Sequence, residues 1–321
     1  MNPRPVLALV FAFLGCGGSG KPGVADGGGS GAPSYSLTFG PIAVAAGSEH
    51  TQCIVQRLGN PMPLHVGSVH NRLGTASHHM VVYRVNDTVE QTTPFDCQPF
   101  QDTLSGNGAP VMISQKSDDT LELPEGVAYT LDANQMIRIE MHYINATSAP
   151  VMLTSSTTMT AVSSYRDEAS FFLIGDTDIN IPSHSDVTLG PVFLPLDPMF
   201  ADAHFFALTG HEHKLGTNVQ VAVASGASDS GAPVYDVPNW SWSEPATVVH
   251  NPPFALPPGG GFRFTCQWHN PNPDTAAPPV RFGESANDEM CFFWAYYYPA
   301  HGTHVCLHSE QGGTPSNRCL R

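Results

Sequence analysis

With 30 Gly and 29 Pro in 321 residues, the chain is richer in turn formers than a helical protein, yet below the roughly 25–30% at which disorder is the default. Its 28 acids against 13 bases leave a formal charge of -15, and Lys and Arg nowhere cluster, which excludes a surface built to neutralise nucleic acid or an anionic membrane. The length suits two domains of roughly 140–150 residues behind a leader, each able to bury its own core.

Taken in order, residues 1–16 read as an export leader: Arg4 supplies the positive start, residues 6–14 form an apolar run too short to span a bilayer, and small residues follow. Phe13-Leu14-Gly15-Cys16 is similar to a bacterial lipobox, with Phe13 where the usual pattern has leucine. The expected protein is therefore exported and lipid-anchored through Cys16, its one membrane contact, with ordinary secretion as the alternative. Residues 17–33 form a Gly/Ser-rich tether with too few apolar groups to fold.

Apolar alternation with turn signals then recurs from Tyr35 to the C-terminus, and no stretch keeps a helical period over three turns. This predicts an all-β fold, with domains at 34–165 and 166–321 meeting in the polar stretch 163–170. Over residues 135–145, Ile137, Ile139, Met141 and Tyr143 share one strand face. Arg138, Glu140 and His142 share the other, so His142 is expected to face a polar surface or cleft. The same period groups Phe205, Ala207, Thr209, His211 and His213. Residues 292–298 are apolar on both faces, as in a strand buried inside a sandwich.

Seven cysteines are odd in number, but with Cys16 lipidated the remaining Cys53, Cys97, Cys266, Cys291, Cys306 and Cys319 can pair completely in an oxidising compartment. Proximity favours Cys53 with Cys97, and the other four would close the second half.

The chemistry-bearing residues are His78, His79, His142, His211, His213 and Met290. Neutral imidazoles with one thioether suit two copper ions better than a hydrolytic or structural metal, because soft sulfur beside imidazole holds copper in both oxidation states. Each motif alone is weak. Adjacent strand residues face opposite sides, so His78 and His79 can share an ion only at a bulge or strand end. His211 and His213 are spaced as a strand chelate, and Leu215 stands where the zinc-protease helix signature needs its second histidine. A lone Met290 is ordinarily core, and Cys291, oxidised in an exported protein, cannot supply a blue-copper thiolate. His301, His304 and His308 form a further loose cluster that reads more simply as surface histidines.

Together, His78-His79-Met80, Met141-His142-Tyr143, His211-Glu212-His213-Lys214-Leu215-Gly216 and Asp288-Glu289-Met290-Cys291 resemble, in order and approximate spacing, the copper type II ascorbate-dependent monooxygenases. Peptidylglycine alpha-hydroxylating monooxygenase and dopamine beta-monooxygenase are its best-known members. The resemblance spans about Tyr35 to the end and implies two jelly-roll-like β-sandwich domains in tandem, with a copper site on each. It implies His78, His79 and His142 around an electron-transfer copper, and His211, His213 and Met290 around an oxygen-binding, catalytic copper. It further implies pairing of Cys53 with Cys97, Cys266 with Cys291, and Cys306 with Cys319. The implied activity is hydroxylation of a C–H bond of a small organic molecule, with O2 and ascorbate or another one-electron donor as co-substrates.

The likeness departs at the substrate. Where the peptide-amidating member has an arginine, an asparagine and a tyrosine that bind the substrate carboxylate, this chain has Thr209, Phe292 and Trp294. A carboxylate would lose its charged partner, so peptidylglycine is not the expected substrate, and Phe292 and Trp294 suggest an apolar or aromatic one. The rival to an enzyme is an exported copper-handling lipoprotein that hydroxylates nothing; a purely structural sandwich would bind no stoichiometric copper.

Overall fold

The computed structural model describes residues 32–100, 102–103, 108–310 and 316–320. The leader, Cys16 and residues 17–31 of the tether lie outside the described residues. Regular structure is almost entirely β, as the alternation predicts, with a single-turn 3-10 helix at Pro198–Phe200.

The first half contributes β1 Ser34–Val44, β2 Glu49–Arg57, β3 Leu64–Arg72, β4 Ser77–Val85, β5 Gln91–Asp96, β6 Gly108–Ser114, β7 Asp118–Glu122, β8 Val127–Leu131, β9 Met136–Ile144, β10 Val151–Ala161 and β11 Asp167–Glu168. One sheet runs β1-β10-β3-β8-β11, with β7 also on β3, and the facing sheet runs β5-β2-β9-β4-β6. β1 and β10 have one wet side, with Ser36, Thr38, Thr154 and Thr158 outward and Leu37, Phe39, Leu153 and Met159 inward.

The second half contributes β12 Ser170–Asp176, β13 Asn180–Ile181, β14 Ser185–Pro195, β15 His204–His211, β16 Gly216–Ala224, β17 Ala232–Asp236, β18 Thr247–Ala255, β19 Gly261–Asn270, β20 Val280–Arg281, β21 Cys291–Tyr298, β22 His304–Ser309 and β23 Ser316–Leu320. Its larger sheet runs β18-β15-β21-β12-β22-β23, its smaller one β14-β19-β16-β17, and β13 pairs with β20. Disulfides join Cys53 to Cys97, Cys266 to Cys291 and Cys306 to Cys319.

Two periodicity arguments need correcting. A β-bulge between Phe205 and Ala207 breaks the period of β15. Phe205 therefore faces the core of the second sandwich while Phe206 and Ala207 face the other way, so Phe205 does not share a face with Ala207. In β21, Phe293, Ala295 and Tyr297 fill the second sandwich, but Phe292, Trp294 and Tyr296 pack into the core of the first. The strand is apolar on both faces because one face is an interface between sandwiches, not because it lies wholly inside one. Across that interface the Tyr296 hydroxyl accepts a hydrogen bond from the Ile113 N–H at 2.9 Å.

Candidate metal centre

The candidate site lies where β4, β9 and the end of β6 on the first sandwich meet β15 and β21 on the second. β4 pairs with β9, and the register slips between Ser77 and His79. That irregularity is what adjacent histidines require if both are to turn to one side. His79 then lies opposite His142. One ring nitrogen from each of His78, His79 and His142 falls within 4.8 Å of the others, and all three residues are buried.

The Nδ1 atoms of His78 and His79 are 3.2 Å apart. An imidazole binds a borderline metal at about 2.0 Å, so two such nitrogens on one ion lie roughly 3.3 Å apart. Among the described residues, the buried Nε2 atoms of His78, His79 and His211 have no hydrogen-bond partner. Buried polar atoms are normally satisfied, so orphaned nitrogens on three neighbouring imidazole rings, with centroids 5.4 and 6.1 Å apart in sequence order, fit a metal.

His211 ends β15 and His213 follows it, with ring centroids 5.2 Å apart. Gly210 is required just before them: a methyl group there would come within 2.7 Å of the Val219 Cβ. Glu289 holds the turn. Its carboxylate accepts from the His213 N–H at 2.9 Å, the Leu215 N–H at 2.7 Å and the Trp268 indole N–H at 3.0 Å. Met290 is the next residue and is buried, 4% exposed, at the start of β21. The His213 Nδ1–H donates to the Asp288 carbonyl at 3.1 Å, which leaves Nε2 as its free lone pair.

The two histidine sets face each other directly. Ring centroids of His79 and His211 are 6.1 Å apart, and those of His78 and His213 are 6.3 Å apart. Burial, with the neighbouring histidines adding to it, pushes His78 down to about 3 and His79 well below its ordinary value. Burial likewise drives His211 well down and His213 to about 4. It also lowers His142, against the opposing pull of Glu49. Five neutral imidazoles in one dry place form a ligand set that metal need not strip of protons.

Several residues around the centre carried no sequence signal. Glu49, on β2, accepts from the His142 Nε2–H at 3.0 Å. Burial alone would push its carboxyl up, but hydrogen bonds from the Ala286 N–H, His142 and Ser285 outweigh that and hold it below its ordinary range. The ionised carboxylate fixes His142 with its proton on Nε2 and its lone pair on Nδ1. Gln115 lies 3.3 Å from the His211 Nδ1. Trp242, between β17 and β18, stands against His78 at a ring-centroid distance of 5.4 Å. Only Glu289, adjoining Met290, could have been suspected from its position.

The three candidate substrate residues form one patch. Thr209 is the register partner of Trp294, and His211 of Phe292, across β15 and β21. Thr209 bonds Thr247 hydroxyl to hydroxyl at 2.8 Å, and the Trp294 ring lies 5.8 Å from that of His211. The C-terminal histidines do not converge: His301 is bonded to Asp202, His304 to the His301 carbonyl and His308 to Asn317.

An all-β chain with a buried histidine centre between two sandwiches defines a class of protein suited to a transition metal that imidazole binds. The family model for the copper type II ascorbate-dependent monooxygenase, C-terminal domain, matches residues 193–317. At family level that is a copper- and ascorbate-dependent monooxygenase domain. No curated protein matches the chain. Among solved structures, PNGase F, a glycosylasparaginase from Flavobacterium meningosepticum, aligns over 89% of this chain and 99% of its own at 9% identity and a TM-score of 0.40. The major capsid protein P2 of bacteriophage PM2 aligns over 82% and 97% at 8% identity and a TM-score of 0.32. At those scores neither carries an argument.

Proposed function

We propose that this protein is an exported two-copper monooxygenase that hydroxylates a C–H bond of a small organic substrate, drawing electrons from ascorbate or another one-electron donor. The observation that carries the reading is the meeting of His78, His79 and His142 with His211 and His213, in a chain whose residues 193–317 match the copper monooxygenase family model. His78, His79 and His142 would hold one ion, and His211, His213 and Met290 the other. Bound copper supplies the one-electron chemistry that reduces dioxygen and oxidises the C–H bond.

The chain's own residues do the rest. Burial keeps the imidazoles neutral, Glu49 fixes the His142 tautomer, and Glu289 ties the turn carrying His213 to the strand that begins beside Met290. Phe292 and Trp294 offer an apolar wall beside His211, and Thr209 brings no charge, so the substrate is an apolar or aromatic molecule without a carboxylate to anchor. Three disulfides fit an exported protein, and lipid attachment at Cys16 would hold it at a membrane.

The test is copper stoichiometry after anaerobic Cu(I) loading, followed by oxygen consumption with ascorbate across apolar and aromatic substrates. Two tight coppers, one of them lost in His142→Ala, with substrate-dependent oxygen uptake in the parent, is the expected result. Two coppers with oxygen uptake indifferent to every substrate would make the protein a copper carrier; no tight copper would end the reading.

A further inference from the structure

One polar side chain of the first sandwich reaches a candidate ligand on the second. Gln115 directly follows β6, the strand held against β21 by the Ile113 N–H on the Tyr296 hydroxyl. The Gln115 Oε1 lies 3.3 Å from the His211 Nδ1. The residue is 4% exposed, and its Nε2 has no hydrogen-bond partner among the described residues. The amide therefore carries a pair of N–H donors into a dry place and leaves them unspent, which buried amides normally avoid.

The His211 ring settles which end of that amide is unspent. The His211 Nε2 is buried and orphaned, so it is the nitrogen free to take an ion. A neutral imidazole that ligates through Nε2 carries its proton on Nδ1, and that N–H donates to the Gln115 Oε1. With its oxygen held by His211, the amide keeps its NH2 group for another partner. The other side chains set around His211 on this sheet are neutral. The Trp294 ring lies 5.8 Å from that of His211, and Phe292 is the register partner of His211. Thr209, opposite Trp294, spends its hydroxyl on Thr247. Gln115 and this largely apolar wall thus flank the same imidazole.

We propose that Gln115 orients His211 through its Oε1 and, through its Nε2, hydrogen-bonds a neutral oxygen acceptor on the substrate. The substrate class is then an apolar or aromatic molecule bearing a carbonyl or ether oxygen close to the C–H bond that reacts. This rests on the monooxygenase reading above and narrows it. A carboxamide N–H answers an oxygen lone pair without asking for charge. A site whose buried donor stays empty also discriminates against an analogue that lacks the acceptor. Gln115 is accordingly a positioning residue for the metal and a specificity-determining residue for the substrate. Because it comes from the first sandwich, the substrate contact of the second is completed only where the two meet.

The experiment compares acetophenone with α-methylstyrene, which has a CH2 group in place of the carbonyl oxygen. Both probes are titrated anaerobically into Cu(I)-loaded and metal-free protein, with binding followed by NMR. The parent is expected to bind acetophenone about tenfold more tightly. Gln115→Glu keeps an acceptor for the His211 Nδ1–H and loses the NH2 donors, so it should retain both coppers and lose the preference. Gln115→Met removes both polar ends at similar volume, so it should lose the preference and weaken Cu(I) at the His211 set by about 10–100-fold. Equal affinity of the parent for the two probes, binding of neither, or a preference kept in either variant would overturn the acceptor contact. Unchanged Cu(I) affinity in Gln115→Met would overturn the orienting role. A parent without tight copper would instead end the monooxygenase reading, and the probe preference of the metal-free protein would still decide the acceptor contact. Should Gln115→Glu fail to fold, Gln115→Met decides it.

Discussion

Glu49 on the first sandwich accepts the backbone N–H of Ala286 on the second at 2.9 Å, with the same oxygen that accepts the His142 Nε2–H at 3.0 Å. One carboxylate therefore sets the tautomer of a candidate ligand and ties the two sandwiches together beside it.

Removing that carboxylate should act on metal affinity more than on the fold, since Glu49 is only partly buried. Glu49→Ala is expected to weaken Cu(I) at the three-histidine set by about 10–100-fold, the usual effect of losing a group that orients a ligating imidazole. Competition against a chromophoric Cu(I) chelator measures it; an affinity equal to the parent's would mean that His142 needs no orienting partner.

Met290 is tested with Met290→Leu, which keeps apolar bulk and removes only the sulfur. A volume-conserving swap of this kind should cost less than about 1.5 kcal/mol. Bound Cu(I) is expected to fall by about one equivalent, because leucine cannot ligate a soft ion. Hydroxylation should disappear with it. A leucine variant that retained both coppers and turnover would return Met290 to the status of core packing.

Tyr296 supplies the acceptor for a backbone donor on β6, an edge strand that among the described residues pairs only with β4. Tyr296→Phe leaves the Ile113 N–H buried and unmatched, so unfolding stability is expected to drop by about 1–3 kcal/mol. Urea midpoints for parent and variant report this directly, and coincident curves would show that the bond across the interface contributes nothing.

Acid sensitivity follows from the depressed histidines. His78 is held down to about 3 by burial, whereas the unfolded chain binds that proton near the usual 6.5. Its contribution to stability is therefore complete above 6.5 and is lost as the pH falls from there toward 3. Glu140 and Glu289, raised by burial to about 8 and about 7, act in the opposite sense, losing stability as the pH climbs through those values. The difference between metal-free parent and His78→Gln cancels the carboxyl terms. It should move in favour of the variant by about 1.4 kcal/mol per pH unit below 6. A difference independent of pH would show that His78 is solvated and titrates normally.

Much of the local structure was legible because it depends on short-range periodicity. Alternation placed Ile137, Ile139 and Met141 opposite Arg138, Glu140 and His142, and it is the bulge at Ser77 to His79 that lets adjacent histidines share one side. The same rule failed at Phe205, because a bulge inserts a residue without a composition signal. It also read Phe292, Trp294 and Tyr296 as interior to one sandwich, since apolar periodicity reports that a face is buried but not against what.

By itself, the sequence determined which residue types were available: imidazoles and a thioether for a soft redox metal, six cysteines able to pair after one is set aside, and strand periods throughout. The tertiary structure alone decided what they meet. It brought His78 to 6.3 Å from His213, put Glu49 against Ala286, stood Trp242 over His78, and set Gln115 against His211. Those partners lie far apart along the chain and are joined by strand register and by the docking of one sheet on another. Both depend on the packing of whole faces, which no short stretch of sequence encodes.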